Sequence, residues 1–471
     1  MPFSTILFAC GFLPLCLIVY WLAPARFRNG VALAFSIAFY AWGAPRFLPI
    51  VLALGIADYW LARAVARAEG RRKWMLLVLA LSVHVGVLAY FKYSNFAVAQ
   101  LNTIAVLLGA TPYRWAAVAL PIGISFLTFE EISYLVDVYR GDAAPAKRGG
   151  HYLLFLMLFP HSIAGPIFRW KDLASQFDGR QVTPDTFWSG VARFSFGLAK
   201  KILVADSAAI VADAIFGLPK EEVSAGLAWF AATAYAVQIY YDFSGYSDMA
   251  IGVGAMLGFT FKENFREPYT SLSLAEFWQR WHISLSSWLR DYIYIPLGGN
   301  RKGPMRAELN ALAVFAVSGL WHGAAWNFLA WGLYHGFIVG LERRAEGVLS
   351  RVPKLVRGVV TLAIVIVGWV IFRAKDMGQA LSMLGAMFVF HTATREPALL
   401  PAQLLPRVGV VAIGGALAFV LARMMARIRD EASGSRPPAF NRYPVLSLAL
   451  LAATIMHMAN TKYMPLIYFK F

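Results

Sequence analysis

The sequence contains few charged residues and almost no cysteine. Asp, Glu, Lys and Arg make up 15% of its 471 residues and hydrophobic residues make up 59%, against about 25% and about 45–50% in soluble domains. A helical separation of about 9 Å between Cys10 and Cys16 is too long for easy disulfide formation, and we expect both to be buried apolar residues. These deficits exclude disordered, collagen-like and disulfide-rich proteins, and they indicate a chain that lies mostly in lipid.

Long apolar stretches divide the chain. Residues 3–23 carry no charge and are long enough to cross a hydrocarbon core of about 30 Å. Residues 309–341 also lack Asp, Glu, Lys and Arg. Because one helix of that length would extend about 50 Å, we predict two segments with a break near 318–323. The pattern predicts an all-α, polytopic integral membrane protein with about ten to twelve transmembrane or re-entrant helices in one domain over residues 1–471. The other apolar stretches are 31–45, 47–66, 74–91, 115–138, 152–168, 225–241, 359–372, 408–422 and 443–460.

The net charge of +17 reflects 43 Lys and Arg against 26 Asp and Glu. In a soluble protein this excess would suggest nucleic-acid binding, but in a membrane protein Lys and Arg collect in cytoplasmic loops, so we expect no nucleic-acid partner. The first stretch lacks the preceding basic residues of a signal peptide and is followed by Arg26 and Arg28. This predicts a retained helix with its N-terminus outside. Basic clusters separate other stretches: Arg63, Arg67, Arg71, Arg72 and Lys73; Arg343, Arg344, Arg351, Lys354 and Arg357; and Arg423, Arg427 and Arg429 before a predicted loop at 429–442.

The chemistry-bearing residues are densest between 273 and 306. Ser273 and Glu276 have the spacing of a capping box, and apolar residues then recur at helical spacing to Tyr292. This predicts one amphipathic helix at the membrane interface. His282 lies on its apolar stripe, either as a hydrogen-bonded core or interfacial histidine or as a functional group. The basic loop that follows could contact phosphates or could be an ordinary cytoplasmic loop; its candidate residues are Asn300, Arg301 and Lys302.

A second histidine, His322, lies in the charge-free run near its predicted break. An ionisable residue at membrane depth is a functional candidate by default. His335 follows 13 residues later, about 20 Å along a helix, so we expect that the two cannot share a metal ion. Because no H-E-x-x-H or Cys/His ligand spacing occurs, we predict no metal site; no G-x-S-x-G or phosphate-loop motif occurs either.

A third polar group is the segment YYDFSGYSD at 240–248. Two acids and several hydroxyls near the end of an apolar stretch could line a polar cavity. The alternative is a capped interfacial turn, because Ser-Gly is an ordinary turn signal. The candidate cavity residues are Tyr240, Asp242, Ser244 and Tyr246.

Ordered motifs along nearly the whole chain resemble the bacterial polysaccharide branch of the membrane-bound O-acyltransferase superfamily. They are FYAWGAPRF from Phe39, YFKYSNF from Tyr90, LPIGISFLTFEEISYLVDVYRG from Leu120, FPHSIAGPIFRWKDL from Phe159, YYDFSGYSDMAIG from Tyr240, NFREPY from Asn264, FWQRWHISLSSWLRDYIYIPLGGNR from Phe277 and SGLWHGAAWNFLAWGLYHG from Ser318. Small departures occur inside these motifs: Gln279, Glu130–Glu131 and His161–Ser162.

The resemblance implies a tunnel for acyl transfer across the membrane. His322 matches the superfamily's active-site histidine, and His282 matches its second polar position. The tunnel would admit a thioester from the cytoplasm and an acceptor hydroxyl from the other side. Further candidate tunnel residues are Arg280, Trp281, Trp321 and Asn327. No bound cofactor is expected, and the donor substrate would be acetyl-CoA or an acyl-carrier thioester.

The function that the resemblance implies is O-acetylation of an exported polysaccharide at the bacterial inner membrane. Alginate is the first expectation, followed by peptidoglycan or cellulose-like polymers, and D-alanyl transfer to teichoic acid is a more distant alternative. The expected partners are the lipid bilayer, the acetyl donor, and the polysaccharide or a periplasmic acetyltransferase. A transporter or channel with an intramembrane His/Asp relay and a passive export scaffold are the alternatives from other functional classes.

Overall fold

A computed structural model describes residues 2–162, 165–181, 183–389, 406–415, 444–461 and 465 of the chain. The described residues are 77% helical and contain no strand. The prediction of an all-α protein is therefore confirmed. Contacts divide the chain into two compact units, the first formed by Met1–Phe187 with Val253–Phe261 and the second by Trp188–Gly252 with Lys262–Phe471. The single domain over 1–471 stays a prediction.

The first unit is a set of helices around an aromatic core. Phe8, Phe39 and Phe159 are almost fully buried and pack ring against ring. Its α-helices are Leu13–Leu22, Arg28–Gly43, Leu48–Arg67, Gly70–Leu88, Ser94–Leu107, Ile124–Arg140, Gly149–Met157, Trp170–Leu173 and Gln176–Gly179, with π-helical turns at Leu7–Phe12 and Ala89–Tyr93 and a 3₁₀ turn at Ala25–Phe27.

The second unit contains a tight helical hairpin. Pro304–His322 and Trp326–Arg344 pack so closely that a Cβ added at Gly319 would lie 2.2 Å from the Phe328 carbonyl oxygen. Only glycine fits at that crossing. The other α-helices that lie wholly or mostly in this unit are Pro184–Ala199, Asp206–Phe216, Ala225–Met256, Leu274–Arg280, Ile283–Leu289, Glu346–Leu349, Lys354–Arg373, Met377–Phe388, 406–415 and Pro444–Ala459. The π-helical turns are Lys200–Ala205 and Arg290–Tyr294, and the 3₁₀ turns are Lys220–Glu222 and Pro268–Thr270.

Three helical stretches among the described residues are long and apolar enough to cross a membrane: Leu48–Arg67, Gly70–Leu107 and Lys354–Arg373. The charge-free run forms two helices as predicted, with the break at residues 323–325. Two predicted stretches are only partly helical, because the helix in 115–138 begins at Ile124 and the helix in 152–168 ends at Met157. The total of ten to twelve crossings stays a prediction. Residues 416–422 of one predicted stretch, the cluster of Arg423, Arg427 and Arg429, and the loop at 429–442 lie outside the described residues.

The two cysteines are free thiols with different surroundings. Cys16 is buried as expected, but Cys10 is exposed, so the prediction that both are buried is wrong for Cys10. A separation of six residues places two side chains on different faces of a helix, and the face of Cys10 also carries the exposed Ile6 and Leu7.

Candidate active site

The helix that precedes His282 begins at the predicted capping box. The Ser273 hydroxyl accepts a hydrogen bond from the Glu276 backbone N–H at 3.1 Å, and the Glu276 carboxylate accepts one from the Leu272 N–H at 2.7 Å. The first contact satisfies a backbone donor that the first turn of the helix leaves unpaired, and the second satisfies the N–H of the residue before the cap. The predicted start of this helix is confirmed.

The predicted continuous amphipathic helix is wrong, because it breaks at His282. The first helix ends at Arg280, and His282 has φ 43° and ψ 55°, a left-handed conformation that is uncommon for any residue except glycine. A second helix begins at Ile283, whose N–H donates to the Asn264 carbonyl at 3.0 Å. A hydrogen bond to a residue distant in sequence therefore interrupts the helix that the local pattern favours. His282 consequently does not occupy a regular position on one continuous helix.

Asn264 also fixes the protonation of the His282 ring. Its Oδ1 accepts hydrogen bonds from the N–H of Ser284 at 3.2 Å and from the Ser284 hydroxyl at 2.9 Å, and it lies 3.2 Å from His282 Nδ1. Because a backbone N–H can only donate, the atom facing it must be the amide oxygen, so His282 Nδ1 donates to Asn264. In neutral His282 the lone pair is therefore on Nε2.

His322 ends its helix at the closed end of the hairpin. Its side chain is 8% exposed and that of His282 is 0% exposed. The His322 ring packs edge-on against Trp331 and Phe372, with centroid separations of 5.2 Å to each. The Trp321 ring lies 4.9 Å from His322 and 6.2 Å from His282. Two histidines distant in sequence are thus brought to one indole ring inside an aromatic enclosure.

The expected separation between His322 and His335 does not hold. Because the chain turns between the two helices, both imidazoles pack against Trp331, with centroid separations of 5.2 and 5.1 Å. His335 is fully buried and also packs against Trp278. The estimate of about 20 Å applies only to a single straight helix.

The segment at 240–248 is neither a turn nor the end of a helix. It lies inside the helix Ala225–Met256, so the turn interpretation is wrong. Asp242 is buried and forms a salt bridge with Lys201 at 2.8 Å, which gives it a structural partner. Tyr240 instead packs against Trp281 at 6.2 Å, and Trp281 packs against Trp369 at 4.9 Å. Ser244 and Tyr246 are buried on the same helix.

The other sequence candidates divide by burial and contacts. Asn327 is buried and donates to the Ala374 carbonyl at 2.9 Å, so it ties the hairpin to the end of the helix Lys354–Arg373. Arg280 is half-buried and binds Glu276 and the Thr270 hydroxyl. Neither contact involves the two histidines. The basic loop residues Arg301 and Lys302 are exposed, and neighbouring Asn300 accepts a hydrogen bond from Tyr294.

The sequence interpretation missed Asn264 as a site residue. Asn264 lies in the family-like motif NFREPY, 18 residues before His282. At that separation no local sequence pattern indicates that the two side chains meet. The geometry combines a ring of defined tautomer, a second buried histidine and an enclosure of aromatic rings. Such a site can accept a proton from a hydroxyl while excluding water.

Comparison with known proteins identifies the family. A sequence model of the membrane-bound O-acyltransferase family matches residues 151–372, a range that includes both histidines. The chain is 41% identical over 505 aligned positions to a protein of Azotobacter vinelandii named "Probable alginate O-acetylase AlgI", with 100% of both chains covered. A Pseudomonas putida protein of the same name is 42% identical, again over 100% of both chains.

A more distant relative is the peptidoglycan O-acetyltransferase of Helicobacter pylori. It is 33% identical over 425 aligned positions, which cover 82% of this chain and 79% of the relative. The similarity to the O-acetylases extends over the full chain, and the family model covers the site described above. The chain therefore belongs to the membrane-bound O-acyltransferase family.

Proposed function

We propose that this O-acyltransferase moves an acetyl group from a cytoplasmic thioester, acetyl-CoA or an acyl carrier, to hydroxyls of an exported polysaccharide, with alginate as the first candidate. Full-length similarity to two proteins named as alginate O-acetylases supports this choice. The observation that carries the proposal is the burial of His282 and His322 around Trp321. We also propose that the chain lies in the inner membrane with its N-terminus in the periplasm.

In the proposed reaction, the acceptor hydroxyl oxygen attacks the thioester carbonyl carbon. A C–O bond forms, the C–S bond breaks, and the hydroxyl proton is finally carried by the departing thiol. His322 takes that proton as the general base and returns it to the thiolate. A direct transfer needs no covalent enzyme intermediate, and neither cysteine lies in the matched range 151–372.

His282 has a different task in this proposal. A neutral ring whose Nδ1 proton is held by Asn264 can accept a hydrogen bond at Nε2 but cannot donate one there. We therefore assign His282 to positioning an O–H or N–H of a bound substrate, instead of donating to the developing oxyanion. Aromatic rings around both histidines keep water away from the thioester.

The test compares polymers from otherwise identical cells with and without this chain. We expect acetyl esters on the exported polysaccharide, measured by NMR, to be lost without the chain while polymer yield is retained. Peptidoglycan from the same cells is assayed in parallel, because the Helicobacter pylori relative is named for that polymer. Loss from peptidoglycan alone would reassign the substrate, and unchanged acetylation of both polymers would contradict the proposal.

The donor and partner are tested in membrane vesicles. Vesicles receive acetyl-CoA labelled in the acetyl group, an acetylated carrier protein or labelled D-alanine, with and without periplasmic extract. We expect label to reach the polysaccharide from an acetyl donor, with a requirement for extract if a periplasmic acetyltransferase completes the transfer. Incorporation of D-alanine would instead support the teichoic-acid alternative.

A further inference from the structure

The first unit contains a cluster of titratable side chains that the acyl-transfer proposal does not use. Asp58, His84 and Glu131 meet there, from the helices Leu48–Arg67, Gly70–Leu88 and Ile124–Arg140. His84 Nε2 lies 2.8 Å from Asp58 Oδ1, and His84 Nδ1 lies 3.1 Å from Glu131 Oε2. One ligand atom from each residue lies within 4.8 Å of the other two.

This cluster is buried, and with both carboxyl groups ionised it would carry an excess of negative charge. The three side chains are only 1–2% exposed. Among the described residues, the two carboxylates have no Lys or Arg within salt-bridge distance. Even a protonated imidazole would leave one negative charge uncompensated, and a buried net charge is costly. A divalent cation together with a neutral imidazole would balance both carboxylates.

Glu131 provides a second, independent indication. Its Oε1 is buried, and within the described part of the chain it accepts no hydrogen bond. Buried carboxylate oxygens normally have partners, so an orphan acceptor beside a histidine needs an explanation. Asp58, by contrast, has an outer partner, because the Tyr152 hydroxyl lies 3.3 Å from its Oδ2. Outer hydrogen bonds of this kind orient carboxylates that bind metals.

We propose that Asp58, His84 and Glu131 form a zinc site that ties three helices of the first unit together. One imidazole nitrogen and two carboxylate oxygens are ligands that Zn²⁺ accepts, at bond lengths of about 2.0–2.2 Å. The three ligand atoms lie within 4.8 Å of one another, and a bound ion would draw them to those lengths around one imidazole nitrogen. Mg²⁺ fits this donor set less well, because it prefers oxygen ligands and one of the three donors is an imidazole nitrogen. Local sequence spacing predicted no metal site because the three ligands come from separate helices.

A neighbouring pair provides a matched control. Glu130 Oε1 lies 2.9 Å from His161 Nδ1, and both side chains are at most 1% exposed. The structure thus joins two departures from the family motifs in one buried pair. This pair offers only one histidine and one carboxylate, and a zinc site needs at least three protein ligands. Replacing His161 changes buried polarity in the same unit without removing a proposed ligand.

The test measures zinc in the full-length protein, purified in detergent with an affinity tag that contains no histidine. Wild type, H84N, E131Q and H161N are each incubated with Zn²⁺, passed through a desalting column and analysed by mass spectrometry of the metal. We expect about one zinc ion per chain in wild type and H161N, and at least about tenfold less in H84N and E131Q. Incubation with Mg²⁺ should leave no bound ion.

Thermal unfolding provides a second measurement. Added Zn²⁺ should raise the melting temperature of wild type and H161N, because an ion that binds only the folded state stabilises it. It should not raise that of E131Q, which keeps the shape of the glutamate. The zinc site is contradicted if wild type retains no zinc, if H84N and E131Q both retain as much as wild type, or if H161N loses as much as they do. Acyl transfer is not measured, so this result is independent of the proposed function.

Discussion

The chain places buried histidines in two opposite environments. In the second unit, His282 and His322 pack against aromatic rings, and two neutral groups, the Asn264 amide oxygen and the Ser284 hydroxyl, contact His282 Nδ1. In the first unit, His84 lies between two carboxylates. In our proposals, a histidine among aromatic rings exchanges a proton with a substrate, whereas a histidine between two carboxylates has a structural role. Burial of a histidine alone therefore does not distinguish a catalytic from a structural role.

The largest expected effect is on the rate of acetyl transfer, and it is measured by replacing one histidine in each environment. H322N should reduce the rate of acetyl transfer by about 100- to 10,000-fold, as expected for loss of a general base, with little change in melting temperature. H84N should lower the melting temperature and leave the rate per folded molecule within a few fold. Initial rates in vesicles and thermal unfolding of purified protein measure both quantities. Equal rate losses in the two variants would remove the distinction.

Asn264 provides the next test, because it fixes the tautomer of His282. N264L removes the acceptor for Nδ1–H and should reduce the transfer rate by about 10- to 100-fold, in line with other outer partners of functional histidines. N264D keeps an acceptor oxygen and should recover most of that loss. The comparison uses transfer rates at equal amounts of folded protein. Identical rates in N264L and N264D would show that the hydrogen bond to His282 does not matter.

The sequence predicted part of the aromatic histidine site but not the cluster around His84. The capping box at Ser273 follows from residues three positions apart, and the break in the charge-free run follows from its length, because one helix would extend about 50 Å. The resemblance to the family motifs identified both histidines as candidates. The left-handed turn at His282 could not be predicted, since a distant Asn264 outweighs the helical pattern around it. The cluster around His84 depends on three separate helices, and no sequence spacing reveals it.

The hairpin that positions His322 should be sensitive to a single methyl group. G319A would place its Cβ 2.2 Å from the Phe328 carbonyl oxygen, and such overpacking costs about 1–3 kcal/mol. G347A is the matched control, because a Cβ there meets nothing within 4 Å. Denaturant or thermal unfolding in detergent should show a clear loss for G319A alone. Equal stability of the two variants would contradict the tight crossing.

The smallest expected effect concerns the cap before His282. S273A removes the acceptor for the Glu276 N–H and should lower the free energy of unfolding by about 1 kcal/mol. S273D keeps an acceptor at that position and should remain close to wild type. Because the cap lies outside the aromatic enclosure, the transfer rate per folded molecule should hardly change. A large rate loss in S273A would extend the active site to this helix start.

The most direct test of the central claim is the acetyl content of polymer from cells whose only copy of this chain is H322A. The exposed His457 offers a matched control, H457A. With equal amounts of protein in the membrane, H322A should yield polymer with no more acetyl ester than cells lacking the chain, while H457A should match wild type. Wild-type acetylation in H322A would contradict the assignment of the aromatic histidine site to acyl transfer.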